Sequence, residues 1–193
     1  MLSYEESLKI LKETNALIDG HFILSSGLHS PKYVQCAQLL SKPDKASKIC
    51  NSLAEKIKTK FNNFNLILSP AMGGIVIGYE IGRILKKETI FSERVDGIFK
   101  LRRGFNIKPT DKVLIVEDVI TTGKSSIECS NIVTSTGATL VGFACIIDRS
   151  KGESAISKNI ISQVKLDIPT YTKDNIPEDL SSISATKPGS RNI

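Results

Sequence analysis

A buried apolar strand does not end in two carboxylates for packing alone, because a buried charge without a partner costs several kcal/mol. The run Val113-Leu114-Ile115-Val116-Glu117-Asp118-Val119-Ile120-Thr121-Thr122-Gly123-Lys124-Ser125 has such an ending, followed by a turn of small residues that opens a helix. Glu117 and Asp118 must therefore meet something polar. Thr121, Thr122, Gly123, Lys124 and Ser125 offer backbone N–H groups, hydroxyls and a helix N-terminus, a combination that holds a phosphate dianion. Hydroxyl-accepting carboxylates about one turn before a phosphate cradle fit a sugar phosphate, with the acids on the ribose hydroxyls and the cradle on the 5′-phosphate. The plain alternative is a solvated strand-to-helix turn. Gly123-Lys124-Ser125 also copies the end of a nucleotide-binding P-loop, but the first glycine of that motif would fall at Asp118, where a carboxylate repels a β-phosphate. The P-loop reading is set aside.

The elements that must position this run follow from the hydrophobic pattern. Leu8, Leu11 and Ala16-Leu17 recur at helical spacing, which predicts a helix from Ser3 to about Asn15 that Gly20 ends. Pro43-Asp44 reads as a turn and helix start, and Ala46, Ile49, Leu53 and Ile57 line one face of a helix up to about Lys60. Beyond it, Leu66 to Ser69 reads as a buried strand, Gly74 to Lys87 as a helix and Thr89 to Phe91 as a short strand. Val113 to Glu117 is a buried strand, Ser125 to Ser135 a helix and Thr139 to Ile147 another buried strand. Strands alternating with helices predict an α/β fold, a mostly parallel central sheet flanked by helices. Ligands bind beyond the carboxyl ends of such strands, so the loops after Leu66–Ser69, Val113–Val116 and Thr139–Ile147 are the candidate site.

Composition narrows the class. The length of 193 residues suits a single domain spanning 1–193, with 185–193 expected to fray. No apolar stretch is long enough for a transmembrane helix. Nor does the N-terminus have the basic-then-apolar run of a signal peptide, so a cytoplasmic protein without membrane contact is expected. Cys36, Cys50, Cys129 and Cys145 form no CxxC pair and read as packed thiols. The only histidines, His21 and His29, lack the i, i+4 spacing of a zinc-binding helix. The net charge of +6 sits almost wholly between Arg83 and Lys108, where eight basic residues face three acidic ones; that placement fits an anionic small molecule or nucleic acid.

The run from Val113 to Ser125 resembles the signature of the type I phosphoribosyltransferases, which bind 5-phosphoribosyl 1-pyrophosphate with Mg²⁺. By that resemblance Glu117 and Asp118 hold the ribose 2′- and 3′-hydroxyls, and Thr121 to Ser125 hold the 5′-phosphate. Pro70-Ala71-Met72-Gly73-Gly74 occupies the place of the family's pyrophosphate loop, where Gly73 and Gly74 let bare backbone approach oxygen atoms. Gly78 and Gly82 read as packing glycines. The segment Phe22-Ile23-Leu24-Ser25-Ser26-Gly27-Leu28-His29-Ser30-Pro31-Lys32-Tyr33 resembles the SGxxSPxY element of the orotate-using branch, a small N-terminal hood over the base pocket that residues 1–40 would contribute. Asp148-Arg149 resembles that branch's DR pair. The resemblance implies orotate contacts from Arg149, Thr121, Ser26, Gly27 and a stacking Tyr33. A planar anionic ring suits a guanidinium fork and an aromatic wall. Salt bridging by Arg149 to Asp148, and a half-buried strand role for Tyr33, are the bland alternatives.

Three positions depart from better-known members: Gly73 and Ser25 replace lysines, and the mobile loop lacks the Lys-x-His pattern. In its place Glu93-Arg94-Val95-Asp96-Gly97-Ile98-Phe99-Lys100-Leu101-Arg102-Arg103-Gly104-Phe105 resembles a variant ERxxG…LRRGF subgroup. Its cations Arg94, Lys100, Arg102 and Arg103 are the candidates to meet the departing pyrophosphate. The spacing of Lys100 and Arg102 predicts a strand or hairpin facing one way. The family also implies Mg²⁺ held mainly by substrate oxygens, with no direct protein ligand, and a homodimer with shared sites. Two alternatives stay open: a phosphoribosyltransferase for another base, and a phosphoribosyl-pyrophosphate-sensing regulator that uses the basic segment on nucleic acid. No helix-turn-helix or RNA-binding signature supports the second, so no nucleic-acid partner is expected.

Overall fold

The computed structural model describes residues 1–24, 26–152, 156 and 159–188. Helix α1 (Tyr4–Glu13) opens on Ser3, whose hydroxyl accepts from the Glu6 backbone N–H while Glu6 answers with its carboxylate, a capping box. It ends earlier than Gly20: Thr14 caps it and Asn15 takes the left-handed turn at φ 58°. Gly20 lies inside strand β1 (Leu17–Ile23), which pairs antiparallel with β2 (His29–Val34). This hairpin fills the middle of the 1–40 span, while α1 packs against the body of the protein, with Leu11 fully buried.

A short helix α2 (Cys36–Leu40) leads into α3 (Pro43–Lys60), where Pro43 occupies the first turn and Ala46, Ile49, Leu53 and Ile57 are buried as their spacing demands. Strand β3 (Leu66–Pro70) is followed by α4 (Gly73–Leu85), β4 (Glu88–Val95) and β5 (Ile98–Leu101), then by β6 (Lys112–Ile120), α5 (Lys124–Ser135) and β7 (Thr139–Asp148). Strand β8 (Ile160–Lys165), a 3₁₀ turn at Lys173–Asn175 and a one-turn helix α6 (Glu178–Ser181) complete the chain. The main sheet runs β5-β4-β3-β6-β7-β8, parallel throughout except for the antiparallel β4–β5 hairpin.

One apolar cluster fills the face covered by α1, α3 and α4, and a second fills the face covered by α5. The glycines of α4 make the first contact close: a Cβ on Gly78 would sit 2.1 Å from Ser69 Oγ, and one on Gly82 2.0 Å from Thr89 Oγ1. All four cysteines are free and buried. No described helix is long and apolar enough to cross a membrane. Within the 185–193 stretch, Thr186 donates to the His21 carbonyl and accepts from the Ile23 N–H, so it does not fray; residues 189–193 lie outside the described residues.

Candidate active site

Three adjacent strands, β3, β6 and β7, deliver the candidate residues at their carboxyl ends. Glu117 is buried near the end of β6 and accepts a hydrogen bond from the Ser126 hydroxyl on α5. Burial pushes its carboxyl up to about 7; the Asp118 charge beside it adds to the rise and the Ser126 bond opposes it. Asp118 is half-buried, and burial raises its pKa too, against the backbone N–H groups of Val119 and Asp118 itself.

Gly73 explains how Asp118 fits. A Cβ at Gly73 would lie 2.7 Å from Asp118 Oδ1, so the pyrophosphate-loop candidate and the diol-binding candidate touch, and a side chain at Gly73 would displace the carboxylate. Gly74, the second residue of α4, packs on Pro70 and the Val116 carbonyl. The loop holds a cis peptide between Ala71 and Met72, and the Ala71 N–H donates to the Ser92 carbonyl.

After β6, Thr121 and Thr122 are exposed, and Gly123 turns the chain at φ 76° into α5. Gly123 has no side chain to cap that helix; the Lys124 N–H donates to the Thr122 hydroxyl at 3.4 Å, and the N–H groups of Ser125 and Ser126 point out of the first turn, where an anion can meet them. Arg149 follows β7, its backbone N–H donating to the Ile120 carbonyl at 2.8 Å, which places it next to Thr121. Its Nε is buried without a hydrogen-bond partner, and burial lowers the guanidinium pKa. Asp148 does not pair with it, because its carboxylate accepts from the Ser150 N–H at 2.9 Å.

The β1–β2 hairpin is tied to the same strand ends. Cys36 Sγ, just past β2, lies 3.9 Å from the Asp118 carbonyl, and the Leu166 N–H donates to the Asp148 carbonyl shortly before Tyr171 bonds to His29. Tyr33 is half-buried, its ring 5.7 Å from that of Phe22, and Ser26 and Gly27 form an exposed turn with Gly27 at φ 82°. Ser25 lies outside the described residues.

The basic segment forms the predicted hairpin, yet its arginines are engaged elsewhere. Arg94 pairs with Glu128 of α5 at 2.7 Å and stacks over Phe99 at 4.0 Å, so it fastens the hairpin to α5. Arg102 and Arg103 both pair with Glu93, and Arg103 also faces Phe91. Lys100 is exposed and has no ion pair among the described residues. Sequence reasoning did not single out Ser126, Glu93 or Glu128. Ser126 left a signal, as a second serine in the first turn of the helix that follows the acids, and Glu93 as the first residue of the ERxxG…LRRGF pattern; Glu128 left none.

Two adjacent carboxylates, a helix N-terminus and a glycine loop therefore stand at neighbouring strand ends. The Phosphoribosyl transferase domain model matches residues 35–180. The chain belongs to that family. Among curated relatives, the orotate phosphoribosyltransferase of Parvibaculum lavamentivorans is 44% identical over 193 residues, covering all of both chains. That of Erythrobacter litoralis is 45% identical over 188 residues, covering 97% of each. Among solved structures, an orotate phosphoribosyltransferase from Aeropyrum pernix superimposes with a TM-score of 0.71 at 23% identity, over 82% of this chain and 92% of that one, which shows a shared fold. The expected α/β architecture of the type I family is therefore present, with the β1–β2 hairpin added to it.

Proposed function

We propose that this chain is an orotate phosphoribosyltransferase, joining orotate to 5-phosphoribosyl 1-pyrophosphate to give orotidine 5′-monophosphate and pyrophosphate in pyrimidine synthesis. The carrying observation is Arg149, a guanidinium with a buried, unpartnered Nε next to Thr121 and the phosphate cradle. An anionic ring supplies the missing acceptor, whereas adenine, hypoxanthine and uracil carry no carboxylate for that fork. The curated relatives of that name, at about 44% identity along the whole chain, support the same reading.

In this mechanism Glu117 and Asp118 hold the ribose hydroxyls, Thr121 to Ser125 bind the 5′-phosphate, and Gly73 and Gly74 receive the pyrophosphate. The bond from C1 to the pyrophosphate oxygen breaks, the orotate ring nitrogen bonds to C1, and the nitrogen's proton leaves to solvent. No enzyme nucleophile takes part. Lys100, Arg102 and Arg103 neutralise the departing charge, with Arg94 holding their hairpin on α5. Among the described residues no three acid, histidine or cysteine side chains gather into a metal site, and the two carboxylates are hard oxygen donors of the kind Mg²⁺ accepts. Mg²⁺ arriving with the substrate's own oxygens beside Glu117 and Asp118 would supply further neutralisation of the leaving group.

The β1–β2 hairpin serves as the hood, with Tyr33, Ser26 and Gly27 against the base. The working unit is a cytoplasmic homodimer: exposed Met72, Val76 and Tyr79 form an apolar stripe along α4 beside the pyrophosphate loop, and a second copy would cover it. Incubation with phosphoribosyl pyrophosphate and Mg²⁺ and each of orotate, uracil, hypoxanthine and adenine tests the reading by pyrophosphate release. Orotate alone should respond; release with another base, or with none, overturns it.

A further inference from the structure

The two histidines of the chain meet in the β1–β2 hairpin. His21 Nε2 lies 2.7 Å from His29 Nδ1, both side chains are buried, and His21 Nδ1 lies 2.8 Å from the Ile183 carbonyl. Their backbones carry the other ties to the same distant segment. The His29 N–H donates to the Tyr171 carbonyl and the Tyr171 N–H to that of His29, while the Thr186 N–H donates to the His21 carbonyl. The pair thus sits where the hairpin is fastened between the two ends of residues 171–186.

The protons in this chain of bonds can be counted. A carbonyl only accepts, so His21 Nδ1 carries a hydrogen. The bond between the rings needs one hydrogen and one lone pair, so the neutral pair has His29 Nδ1–H donating to His21 Nε2. One added proton leaves that bond intact on either ring. A second puts hydrogens on both facing nitrogens and two cations in contact, and the bond is lost. No carboxylate offsets them: among the described residues neither imidazole has an acidic partner. The surrounding charges are engaged or exposed. Asp19 of β1 is paired with Lys12 of α1 and Lys32 of β2, and Glu13 of α1 with Lys45. Lys173, Asp174, Glu178 and Asp179 of the C-terminal segment are exposed, and Tyr171 is half-buried.

We propose that His21 and His29 are a positioning pair that clasps the hood to residues 171–186, and that the clasp accepts one added proton but not two. Its effect on orotate rests on the hood role given above; the clasp itself does not. The pair acts through Ser26, Gly27 and Tyr33, which flank His29 on the hairpin, and touches no reacting atom.

The test uses two variants and two readouts. With only two histidines, ring ¹⁵N spectra need no crowded assignment. As the pH is lowered, the first added proton should move the ¹⁵N signals of both wild-type rings together. Entry of the second should speed exchange of the Ile23 and His29 amides about tenfold after correction for intrinsic pH dependence. His29→Asn places an amide at the Nδ1 position that can donate or accept without charging, so its exchange should stay slow at the acid end. His29→Ala should exchange fast at every pH and raise KM for orotate about fivefold, the worth of one buried hydrogen bond, with kcat and the KM for phosphoribosyl pyrophosphate unmoved. His29→Asn should restore that KM. Independent titration of the two rings, or equal hairpin exchange in wild type and His29→Asn at low pH, overturns the clasp. An unchanged orotate KM in His29→Ala overturns its positioning role. Absence of orotate turnover in the wild type would refute the substrate and leave the spectroscopic result standing.

Discussion

The strand ends and the basic hairpin both concentrate charge, and they treat it in opposite ways. At the ends of β6 and β7, Glu117, Asp118 and Arg149 are wholly or partly buried, and their own fold supplies only partial satisfaction: one hydroxyl for Glu117, nothing for Arg149 Nε. On the β4–β5 hairpin, Arg94, Arg102 and Arg103 are exposed, and each already meets Glu128 or Glu93. Buried polar groups left short of partners favour whatever ligand completes them, whereas exposed ion pairs are worth about 0–1 kcal/mol and exchange readily. Under the proposed function the strand ends are shaped for substrate before it arrives, while the hairpin arginines would trade internal acids for substrate anions.

The comparison is broken most directly at Asp118. Asp118→Asn should lower turnover on the order of 100-fold while circular dichroism and melting stay those of wild type; near-normal turnover would remove the preshaped grip. Arg149→Ala should raise KM for orotate about tenfold and leave that for phosphoribosyl pyrophosphate within about twofold. Equal rises in both would make Arg149 a structural residue.

Glu117 sharpens the contrast through pH. Its carboxyl titrates at about 7 in the fold against 4.5 when exposed, so the fold favours the protonated form. That contribution is complete below 4.5 and is lost as the pH rises through about 7. Glu117→Gln should accordingly resist urea better than wild type at pH 8, by on the order of 1–2 kcal/mol, with the gap closing as the pH falls. A pH-independent gap would mean that burial does not control this group. The smallest effect belongs to the hairpin. Glu93→Gln should change stability by less than about 1 kcal/mol and lower KM for phosphoribosyl pyrophosphate slightly by releasing Arg102 and Arg103. A large loss of stability would show that those pairs hold the fold.

Legibility in the sequence followed the same divide. β3, β6 and β7 are buried on both faces and announce themselves as unbroken apolar runs, and the run through Ser125 carries both carboxylates and the turn proposed to hold the phosphate in consecutive residues. β8 was not read, because its buried residues are interrupted by Ser162 and Gln163, the latter buried and bonded to Ser7 of α1. The short β4 expected at Thr89–Phe91 runs to Val95, since pairing with β5 extends it beyond its apolar core. Gly20 was a false helix stop because Asn15 could take the left-handed turn itself. The partners of the hairpin arginines were hidden for a different reason: Glu128 comes from another element, and nothing local marks a residue that is matched only in three dimensions.

The fastening of the hairpin across the chain has a consequence during synthesis. His21 and Ile183 are 162 positions apart, and a ribosome adding about 5–20 residues per second needs roughly 8–30 s to travel between them. β1 and β2 can pair with each other within microseconds, but both outer edges stay open until residues 171–186 emerge. The nascent protein therefore carries an unsealed two-stranded ribbon while those positions are being joined, and this ribbon is a surface a chaperone would have reason to guard.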